Sequence, residues 1–293
     1  MNSENKTSGG HLLALFTIVV WGTTYVSTKV LLVHFQPVEI LLMRFVMGFL
    51  GLLLIYPRPM KVERGHEKYF IMAGLTGITC YYLLDNISLV YTQATNVGVI
   101  ISVAPFFTAI FSHIFLKTKK LGKYFIIGFL LAMVGIFLVS FNGSTNFQLN
   151  PLGDLLALLA AVVWAVYSIV SRKIGDLGYP TIPATRRMFL YGMVFMIPAV
   201  INMGYHPDYS KLTDPVILAN LLFLGVCASA LCFVTWNMAV KFLGAVKTSL
   251  YIYLTPVITL VTSMIVLGER VNLMSGIGIA CTLAGLLLSQ KQD

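Results

Sequence analysis

Leu12-Leu13-Ala14-Leu15-Phe16-Thr17-Ile18-Val19-Val20-Trp21 opens the first long apolar run of this chain. Leu155-Leu156-Ala157-Leu158-Leu159-Ala160-Ala161-Val162-Val163-Trp164 repeats its outline at a shift of 143 residues. The echo continues in the same frame, with Lys29 falling on Arg172 and Arg44 on Arg187. Further on, Gly74 matches Gly225, Asn86 matches Asn237, Ala94 matches Ala245 and Pro105 matches Pro256. Gly128 and Gly135 then match Gly278 and Gly285. The shift drifts from 143 to 151 and then 150, as loops of unequal length require. A fixed order of matches at a nearly constant shift is the mark of a duplicated structural unit.

Each copy is made of apolar runs. Ten can be marked, at residues 12–33, 37–56, 69–91, 94–116, 121–141, 153–173, 182–203, 216–240, 245–267 and 271–289. Crossing about 30 Å of hydrocarbon at about 1.5 Å per residue takes about 20 residues of helix. Helix is required because lipid offers the backbone no hydrogen-bond partner. A β-barrel would need short alternating stretches, and none is present. The chain is 58% hydrophobic and 11% charged over 293 residues. A soluble domain carries about 25% charged residues, so this composition belongs in a bilayer. The first run is too long for the core of a signal peptide and lacks a small-residue cleavage site, so it is expected to stay as span one.

The net charge of +9 is distributed in a way that decides its meaning. Arg58, Lys61, Arg64 and Lys68 lie between spans two and three, and Lys117, Lys119, Lys120 and Lys123 between four and five. Arg172, Lys173, Arg186 and Arg187 lie between six and seven, and Lys241 and Lys247 between eight and nine. With Lys6 and Lys291, one side collects 16 basic residues, against Lys211 and Arg270 on the other. Basic loops stay cytoplasmic, so both termini are expected there. Nucleic acid is not an expected partner. Five spans per copy, an odd number, makes the second copy enter the membrane from the opposite side. The predicted fold is therefore all-α membrane, with ten transmembrane helices as two inverted five-helix repeats. The predicted organisation is a cytoplasmic N-terminus at 1–11, a first repeat at 12–141 and a second at 153–289.

These features resemble the drug/metabolite transporter superfamily, and within it the EamA-type transporters with ten helices in two homologous halves. The resemblance rests on Trp21-Gly22, Arg44-Phe45, and Ala94 followed by Pro105. In the second half it rests on Trp164, Ala245, Pro256 and Leu267-Gly268-Glu269-Arg270. It covers roughly residues 12–289. Leu116-Lys117-Thr118 stands where the first half would carry another Leu-Gly-Glu, which argues against a role for symmetric glutamates. The resemblance implies a central cavity between the halves, alternating exposure to the two sides, and a small-molecule substrate such as an amino acid, a nucleotide precursor or a toxic compound, frequently exported. It also implies placement in a bacterial inner membrane.

The candidate site follows from residues that are expensive in lipid. Asp85 lies deep in span three beside Asn86, with Tyr81 and Tyr82 one turn earlier. A carboxylate at a helix centre costs about 2.5–3.5 kcal/mol on insertion scales, and such groups face the bundle interior or water. Asp85 is either an interhelical hydrogen-bonding group in its protonated form or a functional one, taking up a proton or pairing with a cationic substrate group. Arg44 lines the cavity and attracts an anion, or is structural, with Glu39 five residues earlier. Lys29 either does the same or snorkels outward. Trp21, Tyr25, Trp164, Tyr167, Trp236, Tyr251 and Tyr253, with Asn237, form an aromatic set that walls a pocket or belongs to interfacial belts and packing. Pro105 and Pro256 near mid-span are candidate hinges, because proline removes a donor and kinks a helix, and paired interruptions mark the site in inverted-repeat carriers. Pro198 has no partner and reads as tolerated. The repeated alanines Ala157, Ala161 and Ala165 favour close helix packing.

Other function classes lack their signatures. No paired-aspartate, Ser/His or His-Glu-x-x-His arrangement is present, and His11, His34, His66, His113 and His206 are scattered, so an enzyme is not expected. No phosphate-binding loop supports ATP-driven pumping, and no filter-like loop or charged ring supports a selective channel. Cys80, Cys227, Cys232 and Cys281 sit in apolar runs and read as packing residues rather than disulfides or ligands. No metal or cofactor is expected. A homodimer is compatible with the sequence. Asn142-Gly143-Ser144 fits a glycosylation acceptor in an external loop, a pattern that arises by chance, and Asn5-Lys6-Thr7 should be cytoplasmic. The expected function is a secondary carrier of a small organic metabolite, with a passive channel or facilitator and a multidrug efflux carrier as alternatives.

Overall fold

The computed structural model describes residues 3–92, 94–117, 122–141, 150–267, 273–289 and 291. Among them the chain is helical, without strands, and passes back and forth ten times. The passes are α1 (Ser3–Leu32), α2 (Pro37–Ile55), α3 (Arg64–Tyr91), α4 (Ala94–Ile101 continued by Ala104–Leu116) and α5 (Lys123–Phe141). The second half supplies α6 (Pro151–Asp176), α7 (Thr181–Met203), α8 (Pro215–Leu243), α9 (Ala245–Ser249 running on to Thr255–Leu267) and α10 (Leu273–Ser289). Seven of the continuous helices are long and apolar enough to cross a bilayer, and the rest are shorter apolar helices. The first helix begins at Ser3, so α1 extends its apolar run by two polar turns.

Local chemistry sets the helix ends. Pro37, Pro151 and Pro215 each stand in the first turn, where no intrahelical donor is needed. Glu39 turns back to accept from the Gln36 N–H at 2.8 Å, and its other oxygen accepts from the His206 N–H at 3.1 Å. Glu39 is therefore a cap that ties α2 to the α7–α8 loop, not the partner of Arg44. Asn150 Oδ1 accepts from the Gly153 N–H, and Asp214 Oδ1 from the Val216 N–H. Side-chain oxygens at such positions satisfy the orphan donors of a helix start.

The duplication is written into the backbone. Residues Gly74–Cys80 of α3 and Phe223–Leu231 of α8 both wind as π-helix, at matched positions of the two halves. The fourth span of each half is interrupted just before its matched proline: α4 at Ser102–Val103, and α9 by the tighter 3-10 segment Leu250–Leu254. Pro105 and Pro256 are each the second residue of the helix that restarts. Each break lies just upstream of its proline, which fits the first turn of the restarted helix without strain. Pro198 lies inside α7, where the Asn202 side chain bonds the Pro198 carbonyl at 2.8 Å.

Packing follows the inverted repeat. α3 and α4 pack on α6, and their counterparts α8 and α9 pack on α1. α2 and α7 bridge these two groups, while α5 and α10 pair with each other. The α5–α10 crossing is made by the matched glycines: a Cβ at Gly285 would stand 2.6 Å from the Gly128 carbonyl oxygen, and one at Gly135 would stand 2.6 Å from that of Gly278. Only glycine allows this approach. The centre is aromatic, with Trp236, Phe233, Phe45, Phe189, Tyr167 and Tyr253 fully buried, while leucines and isoleucines such as Leu54, Ile201 and Leu273 face outward. The face carrying both termini is laced by polar contacts. Arg187 grips Glu67 with two bonds of 2.7 and 2.9 Å, Tyr191 also donates to Glu67, and Arg186 reaches the Tyr56 and Arg58 carbonyls. The four cysteines are free thiols.

Candidate functional site

A cavity of about 30 Å³ lies between the halves. Ile18, Trp21, Thr24, Tyr25 and Thr28 of α1 form one wall. They recur at three- and four-residue spacing, so they share one helix face. Arg44 of α2, Tyr81, Tyr82 and Asp85 of α3, and Trp164 of α6 form the opposite wall. Ile101, Ile252 and Thr255 complete it. Ile101 and Ile252 are repeat-matched residues of the two interrupted spans, so the interruptions themselves, rather than the prolines, supply the lining.

Two charges of opposite sign meet this space. Arg44 is 2% exposed and Asp85 6%. The Arg44 Nε–H donates to Ser229 Oγ at 2.9 Å, and the guanidinium carbon stands 4.4 Å from the centre of the Tyr82 ring. Its Nη2 has no hydrogen-bond partner, and neither has Asp85 Oδ1. Among the described residues the two make no ion pair with each other. A buried charge is normally paired or hydrogen-bonded throughout. Arg44 and Asp85 thus line one cavity, and each keeps one buried polar atom without a hydrogen-bond partner.

The aromatic lining is tightly nested. The Trp21 and Trp164 rings meet edge to face at 5.2 Å, and Trp164 lies 4.6 Å from the Tyr81 ring. These matched tryptophans are used differently. The Trp21 indole N–H donates to the Ala228 carbonyl at 2.9 Å, while the Trp164 indole N–H has no partner and its ring lines the cavity.

Of the residues singled out from sequence, Trp21, Tyr25, Arg44, Tyr81, Tyr82, Asp85 and Trp164 converge on the cavity. The others do not. Asn86 reaches the Pro37 carbonyl at 3.4 Å and tethers α3 to α2. Trp236 occupies the repeat position of Asp85, but is fully buried behind Trp21, 5.1 Å away. Asn237 accepts from Tyr167 Oη and Ser171 Oγ, each at 2.7 Å, and donates to Thr185 at 3.1 Å. Tyr167 and Asn237 thus form a closed polar knot that joins α6, α7 and α8. Tyr251 bonds His11 Nδ1 at 2.7 Å, and Tyr253 is buried in the core. These groups pack against neighbouring helices rather than lining the cavity, although the Trp236 indole N–H and the Tyr253 hydroxyl have no hydrogen-bond partner. Sequence reasoning missed Ile18, Thr24, Thr28, Ile101, Ile252 and Thr255. The spacing from Trp21 and Tyr25, and the match of Ile101 to Ile252, were the available signals. Leu267-Gly268-Glu269-Arg270 beyond Leu267, Thr118, and the Asn142-Gly143-Ser144 pattern lie outside the described residues.

A polytopic helical bundle made of two inverted repeats around a charged, aromatic cavity defines a membrane carrier. The model of the EamA-like transporter family matches residues 8–141 and again 151–290, so the chain belongs to that family. An uncharacterized transporter of Archaeoglobus fulgidus is 26% identical over 298 residues, covering 100% of this chain and 99% of that protein. A probable terminal-alkyne amino-acid exporter of Streptantibioticus cattleyicolor is 26% identical over 282 residues, covering 95% and 92%. One solved crystal structure shares the fold with a TM-score of 0.74 at 19% identity, covering 98% of this chain and 96% of the other. The protein is a transporter, not an enzyme.

Proposed function

We propose that this protein is a secondary transporter that moves a small organic metabolite, an amino acid or a related compound, out of the cell by alternating access. The observation that carries the reading is the pair of unsatisfied, buried charges on one cavity: Arg44 Nη2 takes a carboxylate, and Asp85 Oδ1 takes an ammonium group. Trp21, Trp164, Tyr81 and Tyr82 hold the apolar remainder of the solute. The printed name of the Streptantibioticus relative, an amino-acid exporter, supports the same class. Asp85 also serves as the proton-coupling group. In this scheme the Asp85 carboxyl gives up a proton as it takes the ammonium group, so protonation and solute binding alternate at one oxygen pair. The membrane is the cell inner membrane, with both termini cytoplasmic, as the 16 basic residues on the termini side support. A homodimer is compatible with this scheme but not required by it.

The test is counterflow in liposomes with labelled amino acids. A carrier gives saturable exchange, whereas linear, non-saturating flux would point to a channel or facilitator, and exchange of chemically unrelated cations to a multidrug carrier. Asp85→Asn should flatten the pH dependence of transport. A folded variant with the parent pH profile removes the proton role from Asp85.

A further inference from the structure

The cavity in this conformation is too small for its proposed cargo. About 30 Å³ gives room for two or three water centres, at about 10–15 Å³ each. Tyr25, Thr28, Tyr82, Ile101, Trp164, Ile252 and Thr255 around it are buried, while Trp21, Thr24 and Tyr81 are half-buried. A solute enters only if the group α3–α4–α6 moves against its mirror group α8–α9–α1, so the contacts that join these groups at each face must part.

Two such contacts are repeat images of each other. On α1, the Lys29 ammonium donates to the Leu89 carbonyl at 2.6 Å and the Thr92 carbonyl at 3.2 Å, at the C-terminal end of α3. On α6, the matched Arg172 donates to the Val240 and Lys241 carbonyls, each at 3.1 Å, at the C-terminal end of α8. Leu89 and Val240 are themselves a matched pair, at the same shift as Asn86 and Asn237. Arg172 is braced further by Asp176 at 2.9 Å. The inverted repeat puts the two contacts on opposite faces, the first at the face away from the termini and the second at the termini face. Each joins one mobile group to the other.

We propose that Lys29 and Arg172 are the two gates of the carrier, each a basic side chain on one group that binds carbonyls at the C-terminal end of a helix on the other; this rests on the alternating-access reading above. A helix C-terminus leaves its last carbonyls short of intrahelical donors and carries the negative end of the helix dipole; here the Val240 carbonyl also accepts from the Gly244 N–H at 2.9 Å, and its second lone pair remains for the cation. A cation supplied from across the gap satisfies both and fastens the groups together. Opening a face withdraws the cation and returns those carbonyls to water, which can take its place there. The bond is therefore strong enough to close a face and exchangeable enough to release it. With both cations engaged, the two groups are held together around a cavity too small for the solute. The sequence had left Lys29 between cavity lining and snorkelling; its ammonium does neither, and points to a helix end.

The experiment uses the full chain in oriented membrane vesicles, with Cys80, Cys227, Cys232 and Cys281 replaced by alanine and Thr24→Cys as a cavity reporter. A membrane-impermeant maleimide is applied to one face or the other. Lys29→Met should raise the labelling rate about tenfold from the face away from the termini only, and Arg172→Met about tenfold from the termini face only, because each releases one side of the closed equilibrium. Lys29→Arg and Arg172→Lys keep a capping cation and should stay within about twofold of the parent. Unchanged labelling in both methionine variants, a rise from the same face in both, or a rise equally matched by the conservative variants would overturn the proposal. Size-exclusion profiles identify any variant that opens by unfolding; Lys29→Gln or Arg172→Gln then replaces it under the same criteria. Labelling needs no substrate. Failure here with saturable counterflow intact removes the gates alone, whereas absent counterflow with face-specific labelling removes the proposed cargo.

Discussion

Removing the Arg44 charge should separate solutes by whether they carry a carboxylate. Arg44 is 2% exposed, so salt and water screen it little. Its Nε is held by Ser229 at 2.9 Å and its plane lies over Tyr82 at 4.4 Å, which leaves Nη2 as a buried donor without a partner, the atom proposed to meet the carboxylate. A hydrogen bond to a charged group contributes about 1.5–3 kcal/mol. At 1.4 kcal/mol per tenfold, Arg44→Gln should weaken binding of an amino acid by about 10- to 150-fold. Arg44→Lys keeps the charge but loses the Ser229 tie and the planar fork, and should fall between the parent and Arg44→Gln, at a loss of about three- to tenfold. The assay is counterflow KM for an apolar amino acid and for the amine that lacks its carboxylate. The amine should show little loss in either variant. Equal losses for acid and amine, or an unchanged KM for the acid in well-folded Arg44→Gln protein, would refute the assignment of Arg44 as the anion-binding group.

Two further outcomes test the scaffold. Asn237→Leu strips partners from Tyr167, Ser171 and Thr185 at once; at about 0.6 kcal/mol for each interhelical bond in a membrane, the loss should be about 2 kcal/mol in reversible detergent unfolding, and Tyr167→Phe alone about a third of it. Gly285→Leu drives a side chain into the Gly128 carbonyl and should destabilise the α5–α10 pair by about 1–3 kcal/mol, as overpacking does; an unfolding midpoint equal to the parent would show that this crossing is not close-packed.

Much of the site was legible in the residues that lipid makes expensive. Asp85 and Arg44 stood out because an ionisable group in a span must face protein or water, and both reach the cavity. The aromatics were less legible. Trp21 and Trp164 occupy the same place in the repeat, yet one indole N–H is spent on Ala228 and the other is free. Trp236 and Asn237 looked as site-like as Asp85 and Asn86, but one is packed behind Trp21 and the other is knotted to three side chains. Polarity identifies a residue that must avoid lipid; it does not say whether a neighbouring helix or a cavity receives it.

Counting apolar runs, tallying basic loops and aligning the halves fixed the all-helical class, the number of passes and the inversion, because each depends only on local composition and on the thickness of a bilayer. Which face of each helix turns inward was settled by tertiary packing. These helices are apolar nearly all the way round, so hydrophobic period carries little orientation. The convergence of Arg44 and Asp85, the matched interruptions at Ile101 and Ile252, and the capping of α3 and α8 by Lys29 and Arg172 join residues far apart in the chain. They exist only once ten helices have chosen their neighbours.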